Sequence, residues 1–351
     1  MPLHTEYMNE SMRIFCRKQY YLECFIYVVV IGLLLLDICG FMDNVTGPLK
    51  KPSSFVIQQD KDIYSQDNNN IRSIREPSPS SCRHCVVPEL KLVIRNEDAC
   101  TTRTFDVMML IVSSPGNFDE RQTIRDTWGN KMLMAELSLS YIFIVGNGNN
   151  SIVDGILLKE YRKFGDILHI DFPDNYGTLA MKRIVGMRWA QRYCNQSNYF
   201  IYTDDDVFFN VFSLRRLIVA GTFSATNTVY GKCFSNGFPH RDVLSKWYTS
   251  YRVYPYSFYG PFCLGMVRIM GRQTNERVAE RSRFVRYFHL EDVFTTSLVA
   301  SDIINRNIEG IKMFQTRLTG CRWNCSVMAV LTSTKQHMYP LWNQITEYNC
   351  I

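Results

Sequence analysis

Residues 199–210 read YFIYTDDDVFFN: an apolar run from Tyr199 to Thr203, three adjacent carboxylates at Asp204, Asp205 and Asp206, then a second apolar run. The aromatic and β-branched character of the first run marks a strand, and the triplet stands where that strand ends. Upstream, FDVMMLIV (105–112), YIFIV (141–145) and the run Ile167–Phe172 repeat the strand pattern. Helical stretches lie between them. In Thr178–Arg192, Met181, Ile184, Val185 and Trp189 share one face at i, i+3, i+4 and i+8 spacing. Strands alternating with helices predict an α/β fold with a mainly parallel central sheet flanked by helices on both faces. Such sheets bind ligands beyond the carboxyl ends of their strands, which is where the triplet lies.

Three neighbouring carboxylates repel one another, and a hard divalent cation removes that cost. Mg²⁺ and Mn²⁺ suit carboxylate oxygens and also bind phosphate. An exposed acidic turn is the plainer alternative. Ser113-Ser114-Pro115-Gly116 follows the first strand, and Arg121 and Arg125 come next, four apart on one side of a helix starting near Asp119. Two guanidinium groups in that arrangement can clamp a diphosphate; they can equally pair with carboxylates of their own fold.

The chain has 351 residues, 46% hydrophobic and 21% charged, with a formal charge of +6. That is globular usage and excludes a wholly disordered, collagen-like or multi-spanning protein. Tyr20–Met42 is mostly apolar, and Cys24–Leu36 carries no charge. About 20 such residues cross a hydrocarbon core of roughly 30 Å. A cleaved signal peptide competes, but no small-x-small site follows the apolar core. Arg13, Arg17 and Lys18 precede the span, and Asp37 and Asp43 follow its core. The positive-inside rule then leaves 1–19 as a cytosolic tail, 20–42 as a signal-anchor and the remainder across the membrane. Residues 43–103 hold an Asn run and PSPSS (77–81), the composition of a stem, so the domain itself is expected over 104–351. Nine of the twelve cysteines lie beyond the span, as do sequons at Asn44, Asn149, Asn195 and Asn324; both features suit a secretory lumen. Cys82-x-x-Cys85 with His84 reads as a metal knuckle or, lacking a second pair nearby, as a disulfide participant.

With these blocks assembled, residues 105–300 resemble the β-1,3-galactosyltransferase-type enzymes of glycosyltransferase family 31, which includes β-1,3-N-acetylglucosaminyltransferases. The carrying motifs occur in order. RxxIRxTW runs from Arg121 to Trp128, then FIVG (143–146), GDIL (165–168) with Asp171-Phe172, DNYGTLAMK (174–182), DDDVF (204–208), YPY (254–256) with Gly260, and EDV (291–293). The resemblance implies a single-pass type II Golgi membrane enzyme with a GT-A-like, nucleotide-sugar-binding fold. It implies a UDP-sugar donor, Mn²⁺ (or Mg²⁺), inversion at the anomeric carbon, and an acceptor glycan on glycoprotein or glycolipid. No nucleic acid is involved. Carried over, Asp206 and Asp204 bear on the metal, and Asp204 and Asp205 on ribose and donor sugar. Glu291-Asp292 supplies the base, and Lys182, Arg121 and Arg125 are donor-side cations. Galactose from UDP-galactose in β-1,3 linkage is the leading reading. UDP-N-acetylglucosamine is the near alternative, and a silent nucleotide-sugar or glycan-binding protein the one of another class.

The chemistry fits these residue types. A carboxylate must take the proton of the attacking hydroxyl, and a metal must neutralise the departing diphosphate, on opposite sides of the anomeric carbon. Three departures stand out: Tyr202 where the family commonly has Lys, Thr178-Leu-Ala-Met-Lys182 for Asn-Leu-Thr-Leu-Lys, and Thr295-Thr296 where a Gly usually follows. The aromatic block from Trp247 to Tyr259 is read as mostly core with some acceptor-lining members. His289 is read as structural, or as tuning the base, and the arginines between Arg272 and Arg286 as a solvated helix.

Overall fold

Where the sequence shows apolar runs, a computed structural model shows strands. It describes residues 91–101, 104–148, 151–307, 314–315, 328–332 and 337–347, all within the compact unit Asp62–Arg317 with Asn324–Ile351. The segment 20–42, most of the stem and the sequons at Asn44, Asn149 and Asn324 lie outside the described residues. Among the described residues no helix is long and apolar enough to cross a membrane.

In chain order the elements begin with β1 (Leu92–Ile94), β2 (Val107–Val112), α1 (Phe118–Asp126), α2 (Lys131–Glu136) and β3 (Leu139–Asn147). They continue with α3 (Ser151–Phe164), β4 (Ile167–Pro173), α4 (Leu179–Tyr193), β5 (Tyr199–Asp204), β6 (Val207–Phe209) and α5 (Val211–Val219). Then come β7 (Thr228–Phe234), β8 (Phe262–Gly271), α6 (Arg272–Arg281) and a helical turn, Glu291–Val293, that runs on as a π-helix over Phe294–Val299. Strands β9 (Ile304–Asn307), β10 (Phe314–Gln315) and β11 (Ala329–Leu331) and helix α7 (Met338–Glu347) complete the set.

Eight strands form one sheet in the order β1-β4-β3-β2-β5-β8-β7-β9. The central pairs β4–β3, β3–β2 and β2–β5 are parallel, while β8 runs antiparallel to both β5 and β7. The sheet is therefore mixed and mainly parallel at its centre, as the alternating pattern predicts. Both faces are covered. Met108, Leu110, Ile142, Ile144 and Phe200 join Ile184 and Met187 of α4 in one core. On the other face Trp128 packs on Tyr141 and Phe209, with ring centroids 6.5 and 5.4 Å away. Burial on both sides explains why β2 reads as an unbroken apolar run rather than an alternating one.

Helix α4 sits unusually close to the sheet. A Cβ at Gly186 would come 2.2 Å from Cδ1 of Ile144, so glycine is what permits the approach. The approach buries nearly every side of α4, including Lys182 and Arg183.

The expected stem boundary at 104 needs correction. Strand β1 pairs with β4, and Cys100 is disulfide-bonded to Cys194 at the end of α4, so the fold begins by residue 92. A three-residue strand inside KLVIRNEDAC has too little apolar length to show in a pattern. A second disulfide, Cys233–Cys263, ties β7 to β8.

Candidate active site

Chain order reverses at β2: β3 lies on one side of it and β5, reached after β4, on the other. Ligand crevices in open α/β sheets form at such points, beyond the strand ends. Two loops meet there, Ser113–Asn117 after β2 and the Asp triplet after β5. They are joined by a hydrogen bond from the Asp205 amide to the Val112 carbonyl (3.1 Å).

The three aspartates take different roles. Asp205 is buried and accepts from Asn117 Nδ2 (2.9 Å); burial pushes its carboxyl up, against hydrogen bonds from Ser113 and Asn117. Asp204 accepts from Arg183 Nη2 (2.7 Å) and keeps 34% of its side chain open. Asp206 is exposed. Crowding by surrounding protein, then repulsion from Asp204 and Asp205, pushes its carboxyl up to about 7. Its backbone carbonyl is pinned by the amide (2.8 Å) and hydroxyl (2.6 Å) of Thr332, next to β11. The C-terminal region, which carries little family signal, thus completes the acidic turn through a small sheet in the order β10-β11-β6.

Among the described residues no three His, Cys, Asp or Glu side chains converge to form a closed metal site. The donor set instead fits an ion shared with a ligand, because Mg²⁺-like cations are usually held by one or two carboxylates plus substrate phosphates. Asp206, with Asp204 beside it, would supply them.

The Glu291-Asp292 turn is tied to the same strand end by Arg183, which contacts both Asp204 and Glu291, but its two carboxylates differ in their surroundings. Glu291 is buried and bonded to Arg268, lies 3.4 Å from Arg183 Nε, and accepts from Thr295 Oγ1 (3.1 Å). Burial opposes its charge, yet Arg268 and then Arg183 hold its carboxyl below the ordinary range. So engaged, it is poorly placed to take a proton from a substrate. Asp292 is half-buried, and burial followed by the adjacent Glu291 charge raises it to about 6. That is the environment of a general base.

Tyr176 sits near both motifs. Burial and the charges of Asp292, then Glu291 and Asp204, push its hydroxyl up to about 12, against a hydrogen bond donated by Trp247. Tyr176 and Trp247 are 45% and 44% exposed, so they offer aromatic surface beside Asp292. Tyr251 is exposed as well, whereas Tyr254 and Tyr259 are core residues packed on Phe288. His289 Nε2 lies 2.9 Å from the Tyr248 carbonyl, in keeping with its structural reading.

The donor-side cations are placed differently from expectation. Arg121 is fully buried, bonded to Glu160 through Nε (2.9 Å) and Nη2 (2.7 Å) and to Ser113 Oγ, Ser114 O and Pro115 O. Arg125 is paired with Asp166 and Glu160. Lys182 bonds Asp174 (2.7 Å) and the Ser113 carbonyl (2.9 Å). All three charges are engaged by carboxylates or carbonyls of the protein itself. Arg121 and Lys182 lace the loop after β2, whose end carries Asn117, to its neighbours, while Arg125 ties α1 to Glu160 and Asp166. Replacing Arg121 with Ala is expected to cost about 3–5 kcal/mol, because a buried ion cluster loses one partner and Glu160 and Asp166 must then share Arg125 alone. Urea unfolding measures this. A weakened affinity for UDP in the folded variant, with stability unchanged, would restore the clamp reading.

Residues 119–308 match the family described as Galactosyltransferase. The chain belongs to the galactosyltransferase family. β-1,3-Galactosyltransferase 1 of Mus musculus and that of Homo sapiens are each 29% identical over 257 residues, covering 73% of this chain and 78% of theirs. β-1,3-Galactosyltransferase 2 of Homo sapiens is 30% identical over 207 residues, 58% of this chain and 49% of its own. Among solved structures, a glycosyltransferase involved in glycosylation of the major capsid of PBCV-1 gives a TM-score of 0.36 at 9% identity, covering 66% of this chain and 98% of that one. The catalytic domain of Drosophila β1,4-galactosyltransferase 7 gives 0.33 at 14% identity, with 66% and 72% covered. Membership of the galactosyltransferase family makes the protein a hexosyltransferase of the β-1,3-galactosyltransferase type.

Proposed function

We propose that the chain transfers galactose from UDP-galactose to an acceptor glycan in β-1,3 linkage, with inversion, as a GT-A-fold type II enzyme of the Golgi lumen. The observation that carries this reading is that Arg183 contacts both Asp204, at the end of β5, and Glu291, so the turn bearing the half-buried Asp292 of raised pKa is tied to the strand end that bears the acidic triplet. Asp206 with Asp204 would hold Mn²⁺ or Mg²⁺, whose chemistry is to neutralise charge on the departing diphosphate. Asp205 and Asn117 shape the side of the crevice where the nucleotide lies. Asp292 takes the proton of the acceptor hydroxyl as that oxygen attacks the anomeric carbon from the face opposite the diphosphate. Because attack and departure occur on opposite faces, an α-linked donor yields a β-glycoside.

The test is to supply the purified lumenal part with UDP-galactose and UDP-N-acetylglucosamine, with and without Mn²⁺, and to determine the linkage of any product. Preference for the N-acetylglucosamine donor would replace the galactosyl assignment. No turnover with any UDP-sugar and acceptor would sink the enzymatic reading of this chain. On the acceptor side, Trp247→Ala is expected to raise the acceptor KM by about two- to tenfold through lost stacking, which is worth roughly 0.5–1.5 kcal/mol beyond area burial, and to leave the donor KM unchanged. A matching rise in the donor KM would move Trp247 to the nucleotide side.

A further inference from the structure

The two acidic motifs are joined beneath the crevice by a row of alternating charges. Asp204 Oδ1 accepts from Arg183 Nη2 at 2.7 Å, Arg183 Nε lies 3.4 Å from Glu291 Oε1, and the same oxygen is bonded to Arg268 Nη2. Arg183 and Arg268 are wholly buried and Glu291 nearly so. Arg183 also donates through Nη1 to the Thr203 carbonyl at 2.9 Å, which fixes it to the last turn of strand before the triplet. Two donors of Arg268, Nε and Nη1, have no hydrogen-bond partner among the described residues.

Such a row is expensive to bury, and well-packed apolar side chains of similar volume often stabilise as much or more. Its retention is better explained by what lies at its two ends, the carboxylate beside the metal and the turn that carries Asp292. Resting on the proposed glycosyl-transfer reading, we infer that Arg183 is a positioning residue that fixes Asp204 and, through Glu291, the Asp292 turn at a set separation across the anomeric carbon.

The charge comes from α4 rather than from the strand. Tyr202, where the resembled enzymes commonly carry Lys, is fully buried with its hydroxyl on Asn275. Its ring centroid lies 6.0 Å from the Arg183 guanidinium carbon. A lysine at position 202 would start from the strand residue whose ring lies beside that guanidinium. Arg183 therefore supplies from the helix the cation that Tyr202 cannot supply from the strand, and the close approach of α4 allowed by Gly186 brings it there.

The experiment compares Arg183→Met with the double variant Arg183→Met/Tyr202→Lys in the lumenal protein, following kcat, donor KM and the calorimetric affinity for UDP in Mn²⁺. Misplacement of reacting groups by about 1 Å costs on the order of 10²-fold, so Arg183→Met is expected to lower kcat by about 10–100-fold. It should also weaken UDP binding several-fold while the far-UV circular dichroism stays native. Adding Tyr202→Lys should recover most of both losses. A folded Arg183→Met protein with kcat and UDP affinity within about twofold of the parent, or a double variant no better than the single, overturns the inference. If Arg183→Met does not fold, a folded and active double variant supports it, and failure of both to fold overturns it. Absence of turnover in the parent protein is a failure of the glycosyl-transfer reading instead, and the UDP affinities then decide on Arg183 alone.

Discussion

Replacing Asp292 with Asn is expected to lower kcat by about 10²–10⁴-fold, the contribution usual for a positioned general base, with UDP affinity left near that of the parent. The substitution keeps the shape of the turn, including an oxygen able to accept from the Val293 amide at 2.9 Å, and removes the basic electron pair. The parent's kcat should rise with pH through about 6, where Asp292 loses its proton, and the variant's residual rate should lack that limb. Stability gives a second readout. The folded pKa of Asp292 is raised, so the folded state holds the proton more tightly and stability contributed by the neutral form is lost as pH rises through about 6. Asn stays neutral. The variant should therefore melt at a higher temperature than the parent at pH 7.5, and the difference should vanish below about pH 4, where the carboxyl is protonated in both states. Unchanged kcat in Asp292→Asn would transfer the base to another residue.

Asp206→Ala is expected to cost about 10²–10³-fold in kcat/KM, the range seen when one preorganised stabiliser of developing charge is removed. It should also abolish any Mn²⁺-dependent gain in UDP affinity. Folding should survive, because what the acidic turn owes to residue 206 is its backbone carbonyl, held by Thr332, and an alanine retains that carbonyl. Removing metal with a chelator should reproduce the loss in the parent and leave the variant unaffected. Undiminished turnover of the parent in excess chelator would rule out metal dependence. The Asp205→Asn variant should be milder in its effect on metal and harsher on stability, since that side chain is buried against Asn117.

How far the sequence revealed this site depends on whether a residue's partner is local. Strands β2, β3 and β5 are legible because burial on both faces writes them as unbroken apolar runs, and the triplet is legible because a strand end is a place where charge is noticed. The fates of Arg121, Arg125 and Lys182 are not local facts. Arg121 meets Glu160 from 39 positions away and Arg125 meets Asp166 from 41, so the same i, i+4 spacing serves a diphosphate clamp and an internal ion cluster equally well. Arg183 and Arg268 are illegible for another reason, since one or two cations within an apolar run look like surface residues. A signal was present in α4: Ile184, Val185, Met187 and Ala190 leave little of the helix for solvent, and a glycine at its centre suggests close packing. A helix apolar on several sides must bury its charges, and a buried charge must find a partner. Glu291 illustrates the remaining ambiguity, because two adjacent acids in a motif are indistinguishable until one is seen clasped by two arginines.

The clasp of Thr332 on the Asp206 carbonyl spans 126 positions, and this orders events during biosynthesis. At roughly 5–20 residues per second, the acidic turn emerges from the ribosome about 6–25 s before the segment that secures it. Over that interval the Asp206 carbonyl lacks the amide and hydroxyl that hold it in the folded protein. A polypeptide ended at residue 308 would contain the whole stretch matched to the family and still lack its fastening, so premature termination downstream of every recognisable motif should yield a protein with a sheet but a slack grip on its nucleotide.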